Sequence, residues 1–265
     1  MESTVARALD TNRANLRLGN SSEVTGSATF VTSTDSPDIY DANHVTDIRA
    51  SSAAEIDGVL EDAERAYQHT GHRRFDVDFR TPPEFIARLV LDGGYTRDDT
   101  LFLILDADLI GDATPHDIRP LGPDSDWEAM WELLLVDWHE HSARTGRPAV
   151  GEGVTRQMWR AKRRKQPPTQ YWLAYVKGRP VGYFNSWEGV NGVGQVEDLF
   201  VLPDFRHRGV ATALIHHCVS ESRKGGAGPI VIAADPGDTP KNMYAGMGFR
   251  PVASSQGYLK RLSTS

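Results

Sequence analysis

Apolar positions in this chain switch repeatedly between a spacing of two and a spacing of three to four. ATFVTS (28–33) and HVTDIRA (44–50) have strand character, and Ile56, Val59, Leu60, Ala63, Ala66 and Tyr67 then recur at helical spacing up to Gly71. RRFDVDF alternates as a strand. TPPEFIARLVLDGGY opens on prolines and closes on glycines, as short helices do, and TLFLILD reads as a buried strand. The turn-rich, acidic stretch ADLIGDATPHD (107–117) reads as a connector between two domains. After the strand DIRPL, Trp127, Met130, Trp131, Leu134, Leu135 and Trp138 mark one helical face, behind Ser125-Asp126-Trp127-Glu128 with capping-box spacing. TRQMWRAKRRK predicts a basic helix ended by Pro167-Pro168, and QYWLAYVKGRPVGYFNSW a hairpin. GQVEDLFVLP predicts a strand, RGVATALIHHCVSESRKG a helix, and PIVIAA a buried strand. TPKNMYAGMGF then reads as a short helix and RPVASSQGYLKRL as a last hairpin. The polar, irregular residues 1–27 predict a flexible arm.

The order of elements repeats. FDVDFRTPPEFIARLVLDGGYTRDDTLFLIL, from residue 75, and IVIAADPGDTPKNMYAGMGFRPVASSQGYLK, from residue 230, both run strand, Thr-Pro, short helix, glycine, aromatic, strand. The preceding helices correspond as well. The chain therefore reads as an α/β protein built from a diverged tandem of one unit.

Composition fits this reading. The 265 residues are 39% hydrophobic and 25% charged, as in a soluble globular protein, and no apolar run approaches a membrane span. The single cysteine, Cys218, and the absence of a secretory leader predict a reducing, cytoplasmic setting. Net charge is −7 overall, but −11 over residues 1–115 and +4 over residues 116–265. That asymmetry suits the C-terminal half to an anionic ligand. With only one short basic run, it argues against nucleic-acid binding.

The stretch VLPDFRHRGVATALIHHC concentrates the chemistry. A helix N-terminus offers unpaired N–H groups and partial positive charge. Gly209 allows close approach to that backbone, Ala211 keeps the first turn open, and Arg206 and Arg208 add charge. The sum suits a phosphate or pyrophosphate. At the corresponding corner of the first half, SSAAEIDG lacks any such loop, although Ser51 and Ser52 are suited to cap a helix there.

With VEDLFVLPDF before RHRGVA, and PIVIAAD and KNMYAGMGF after it, residues 116–265 resemble the GNAT acetyltransferase superfamily. The resemblance implies tandem GNAT-like units, each a mixed, largely antiparallel twisted sheet flanked by helices. Residues 28–112 would be a degenerate, non-catalytic unit and residues 116–265 the catalytic one. It also implies that Arg206, His207, Arg208, Gly209, Val210, Ala211 and Thr212 hold the pyrophosphate of acetyl-CoA or another acyl-CoA. Backbone of Phe200, Val201 and Leu202 would pair with the pantetheine arm, and Tyr244 would protonate the leaving thiolate. For the proton of the amine, Glu197 is the first candidate base and Asp198 the second. Strand alternation places them on opposite faces, so only one would face the cleft. The acceptor site is expected near Trp138, His139, Trp187 and Glu188, with the segment RTGRPAVGEG (144–153) close by. The family often has Asn about seven residues before the tyrosine; here Gly237 stands there, with Asp238 and Thr239 nearby. No metal is expected.

The expected activity is N-acyl transfer from acyl-CoA to an amine of a small molecule, by a monomer or homodimer without nucleic-acid or membrane partners. One alternative donor is a carrier protein bearing acyl-phosphopantetheine, docked on the basic helix at 156–165. Another alternative is a non-catalytic CoA-binding module.

Overall fold

The period-two segments pair into one mixed sheet. The computed structural model describes residues 3–145, 150–237 and 239–262. The first half supplies β1 (Ser21–Val24), β2 (Thr29–Thr32), β3 (His44–Thr46), β4 (His72–Val77) and β5 (Thr96–Leu105). The second half supplies β6 (Asp117–Pro120), β7 (Gln170–Val176), β8 (Arg179–Val190), β9 (Val193–Val201), β10 (Ile230–Ala234) and β11 (Arg250–Arg261). Among the described residues they form an 11-stranded sheet in the order β1-β2-β3-β4-β11-β5-β10-β9-β8-β7-β6. The β3–β4 and β9–β10 pairs are parallel and the other pairs are antiparallel. Parallel neighbours need a crossover; α2 (Ala53–Ala66) and α6 (Val210–Lys224) supply one in each half. Helices α3 (Pro83–Asp92) and α7 (Pro240–Gly246) then lead into β5 and β11.

The halves exchange their last strands. β5 pairs with β10 of the second half, β11 pairs with β4 of the first, and β5 and β11 pair with each other at the centre. The strand order is thus pseudo-symmetric about the β5–β11 pair. The cores follow the exchange. Leu103 and Leu105 of β5 sit in the core of the second half, and Tyr258 of β11 sits in the core of the first. The connector at 107–117 therefore separates two halves that are interlocked, not two free domains.

Three sequence expectations change. Within the expected flexible arm at 1–27, residues 3–27 instead hold α1 (Thr4–Arg17) and β1. Ala8 and Leu9 are buried, but so are Thr11 and Asn15, both 0% exposed. The Thr11 hydroxyl lies 3.1 Å from both the Val190 and Val193 carbonyls, and Lys165 Nζ donates to Asn15 Oδ1 at 2.6 Å. A buried face that is half polar leaves no hydrophobic period to read. The expected final hairpin is one strand, β11. Helix α4 (Asp124–Thr145) starts ahead of Ser125, and Asp126 accepts the Gly122 N–H instead of leaving the cap to the serine. Trp127 and Trp131 of α4 are core residues against Trp159 of α5 (Glu152–Arg164). No helix among the described residues is long and apolar enough to cross a membrane.

Candidate active site

The two matching strand-to-helix corners differ in how their amides are satisfied. At α6, Gly209 is the N-cap with φ 81°, no side chain caps the helix, and its first turn holds no acidic residue. The dipole there is uncompensated. Glycine is required for that positive φ, and a Cβ would also lie 3.3 Å from Thr114 Oγ1. The connector thus packs on the loop, where His116 Nε2 lies 3.2 Å from the Arg208 carbonyl. At α2, Ser52 accepts the Glu55 N–H while the Glu55 carboxylate accepts the Ser51 and Ser52 amides. Those backbone bonds, Ser52 first, hold the Glu55 carboxyl below its ordinary pKa. The first-half corner is therefore filled by its own carboxylate.

The arginines of the loop are partly spoken for. Arg206 donates to the Val201 carbonyl and to Glu140 of α4, and Arg208 lies over the Phe205 ring. His207 is exposed, with φ 58°.

Strand β9 leads into the corner and carries a bulge. Tyr183 faces Phe200 and Asn185 faces Glu197, so Phe184 opposes both Asp198 and Leu199, and Asp198 takes φ 65°. On its other edge β9 pairs with β10 only at Gly194 and Gln195. Beyond Gln195 the two strands part, and Phe200, Val201 and Leu202 follow on the open side. Leu202 N–H is held by the Val181 carbonyl at 2.8 Å on the β8 side.

The bulge overturns the expected alternation of Glu197 and Asp198. Both carboxylates meet lysines from the end of α5. Lys162 Nζ lies 2.6 Å from Asp198 Oδ2, and Lys165 Nζ lies 3.1 Å from Glu197 Oε1. Asp198 also accepts the Tyr171 hydroxyl, and Glu197 the Gln195 amide at 2.9 Å. Burial opposes the Asp198 charge, but Lys162 and Lys165 outweigh it, so its pKa lies below the ordinary value. Burial likewise opposes the Lys165 charge, and Glu197 and Asp198 outweigh it in the other direction. Asp198 is therefore not poised to take up a proton near neutrality.

Asp198, Lys162 and Lys165 line a cavity of about 680 Å³ between the halves. Trp138, Val154 and Met158 of α4 and α5 form one wall, and Ile39, Tyr40 and Asp41 of the first half form another. Trp138 stacks edge-on against His141, at 5.2 Å between ring centroids. The other expected acceptor residues are not at this cavity. His139 is exposed on α4, Trp187 is 5% exposed in β8 opposite Gln195, and Glu188 is exposed beside Gly225 at the end of α6. Tyr244 of α7 is 5% exposed, packed near Phe249 in the core of the second half. Gly146–Ala149 of the expected acceptor segment and Asp238 lie outside the described residues. Lys162, Lys165 and Tyr171 were not foreseen. The lysines' three-residue spacing on a basic helix was the one available signal.

A further, half-buried carboxylate stands on α4. Asp137 of α4 accepts the Tyr183 hydroxyl at 2.7 Å, and burial pushes its carboxyl up to about 6. A carboxyl raised on folding binds protons more tightly folded than unfolded. Its contribution is fully present below about pH 4 and is lost as pH rises through about 6. Asp137→Asn removes the charge and keeps an acceptor for Tyr183. It is expected to stabilise the protein by roughly 2 kcal/mol near pH 8 and by little near pH 4. Urea unfolding at the two pH values measures the gap, and an equal gap at both would contradict the assignment.

The sequence profile of the acetyltransferase (GNAT) family matches residues 127–249. No curated protein matches the chain. Among solved structures, a GCN5-related N-acetyltransferase from Kribbella flavida is similar over 98% of this chain and 96% of its own, at 16% identity and a TM-score of 0.70. A conserved protein of unknown function from Staphylococcus epidermidis is similar over 93% and 96%, at 15% identity and a TM-score of 0.70. A tandem GNAT protein from the clavulanic acid biosynthesis pathway is similar over 84% and 76%, at 15% identity and a TM-score of 0.57. At these identities the likeness is one of fold. With the uncapped corner at Gly209, the bulged β9 and the parting of β9 from β10, the match identifies residues 127–249 as a GNAT acetyltransferase domain.

Proposed function

We propose that the protein is an N-acyltransferase that moves an acetyl or other small acyl group from acyl-CoA to an amine of a small molecule. Residues 116–265 are the catalytic unit, and residues 28–112 are a GNAT-like unit without catalytic function that walls the acceptor cavity. The observation that carries this reading is the contrast between the corners. No side chain caps α6 at Gly209, whereas the Ser51 and Ser52 amides are taken by Glu55.

The backbone N–H groups of Gly209 to Thr212 fit a pyrophosphate, and the free edge of β9 at Phe200 to Leu202 fits an extended amide arm. Acyl-CoA bound there supplies the activated thioester. The chain's own residues do the rest. Lys162 holds Asp198 as an anion, Lys165 pairs with Glu197, and both lysines line the cavity beside Asp198. The amine, entering from the cavity, releases its proton to water rather than to Asp198. The Tyr244 hydroxyl donates a proton to the departing thiolate. A docked carrier protein is the weaker reading of the donor. Helix α5 turns both lysines inward, ties Arg163 to Asp124, and ties Arg164 to Ser33 and Ser36.

Tyr244→Phe tests the acid. The ring packing is kept, so kcat is expected to fall about 10- to 100-fold while acetyl-CoA affinity stays the same. An unchanged kcat would remove Tyr244 from the mechanism.

A further inference from the structure

The charges around the large cavity are unevenly placed. At the β9 end they balance, Lys162 against Asp198 and Lys165 against Glu197. On the first-half wall they do not. The turn at Tyr40–Ala42 and the residue pair before it present Asp38 and Asp41 on either side of Ile39 and Tyr40. Asp38 is bonded to the Gln157 amide at 2.8 Å, and neither aspartate has an ion-pair partner among the described residues. Asp41 acts on Lys165 and Arg74 only from beyond ion-pair distance. Asp235, at the end of β10, adds a further carboxylate to the lining. Among the described residues, the one arginine or lysine of the lining outside the lysine pairs is Arg261, which lies 3.2 Å from the Tyr40 hydroxyl.

A second feature points to a polar ligand in the same space. Ser142 of α4 lines the cavity and is 6% exposed, and its hydroxyl has no hydrogen-bond partner among the described residues. A buried hydroxyl left without a partner costs about 1–3 kcal/mol, which an occupant with a donor or acceptor would relieve. Between the polar ends the walls are apolar and aromatic, with Ile39, Tyr40, Trp138, Val154 and Met158. About 680 Å³ is room for a small organic molecule.

We propose that the acceptor is an amine carrying a second cationic group on an apolar body, and that Asp38 and Asp41 of the first half hold the second cation while the reacting amine sits at the β9 bulge. This rests on the acyl-transfer reading and names the substrate class of that same site. The first half, having no corner free for the donor, then serves to select the acceptor. An amino acid places a carboxylate where the second cation belongs. Against it stand two aspartates, with Arg261 as the one partner.

The test compares diaminopentane, aminopentane and aminopentanoate as acceptors for acetyl-CoA, using the full chain. The diamine is expected to exceed both others in kcat/KM by about tenfold, since one charged hydrogen bond is worth that much. In the double variant Asp38→Asn, Asp41→Asn the ratio of diamine to monoamine is expected to fall to about one, with thermal unfolding reporting that the fold is kept. Equal use of the monoamine, preference for aminopentanoate, or a ratio unmoved by the double variant would overturn the proposal while leaving acyl transfer standing. Failure to acylate any amine, with acetyl-CoA bound, would overturn the acyl-transfer reading and this proposal with it.

Discussion

Expressed alone, residues 113–265 are expected to be unfolded or insoluble, although they contain the whole GNAT match. The reason is the strand exchange. Without the first half, β10 loses its five register partners on β5, and β11 loses both neighbours, six positions on β4 and nine on β5. Phe102, Leu103, Ile104 and Leu105 of β5 are each no more than 2% exposed. Burying four such side chains contributes roughly 6–12 kcal/mol, comparable with the stability of a whole domain. The orphaned edges are open templates for aggregation. Residues 1–112 should fail for the mirror-image reason, since β4 is left without β11. Co-expression of the two fragments is expected to yield a soluble complex with one cooperative melt. A cooperative melt from residues 113–265 alone would contradict the interlocked architecture.

Gly209→Val should cost most of the donor affinity. A β-branched residue at φ 81° is strained by roughly 1–2 kcal/mol, and its Cβ would press on Thr114 at 3.3 Å. Relief requires the loop to turn, which re-aims the amides at the start of α6. Loss of two charge-assisted hydrogen bonds to pyrophosphate predicts a Kd for acetyl-CoA weakened about 100-fold. Ser52→Ala at the matching corner is the contrast. It removes a cap and costs about 1 kcal/mol of stability, but should leave acetyl-CoA binding alone, because Glu55 already fills that corner. Calorimetric titration of both variants decides the point. Equal losses of affinity would mean that both corners bind the donor, and no loss in Gly209→Val would mean that neither does.

Much of this architecture was legible in the sequence, and for a physical reason. Strands such as TLFLILD and PIVIAA and the helix at Val210–Lys224 have strong periods, and their order repeats. The uncapped corner was legible too, because Gly209 is needed for a positive φ and no Ser, Thr, Asp or Asn stands ready to cap. What was hidden depends on contacts distant in sequence. Helix α1 buries Thr11 and Asn15, so its inner face carries no hydrophobic signature. The exchange of β5 and β11 leaves each strand's own pattern unchanged, since either neighbour buries the same face. The bulge at Asp198 has no glycine or asparagine to announce it, and it undid the alternation that separated Asp198 from Glu197. The lysines at 162 and 165 looked like part of a solvated basic face; only the carboxylates of β9 show that they turn inward. Trp187 and Glu188 looked like neighbours of the cleft because the strand carrying them was known and its register was not.

Under the proposed function, the 265-residue chain transfers an acyl group from CoA to an amine in a cavity walled by both halves. The most direct test of this transfer is to incubate the purified 265-residue chain with acetyl-CoA and diaminopentane, titrating released thiol and weighing the amine by mass spectrometry. One equivalent of N-acetylated amine is expected for each equivalent of free CoA, with both lost in Gly209→Val. Thiol release without an acylated amine, or no release from a protein that binds acetyl-CoA, would contradict it.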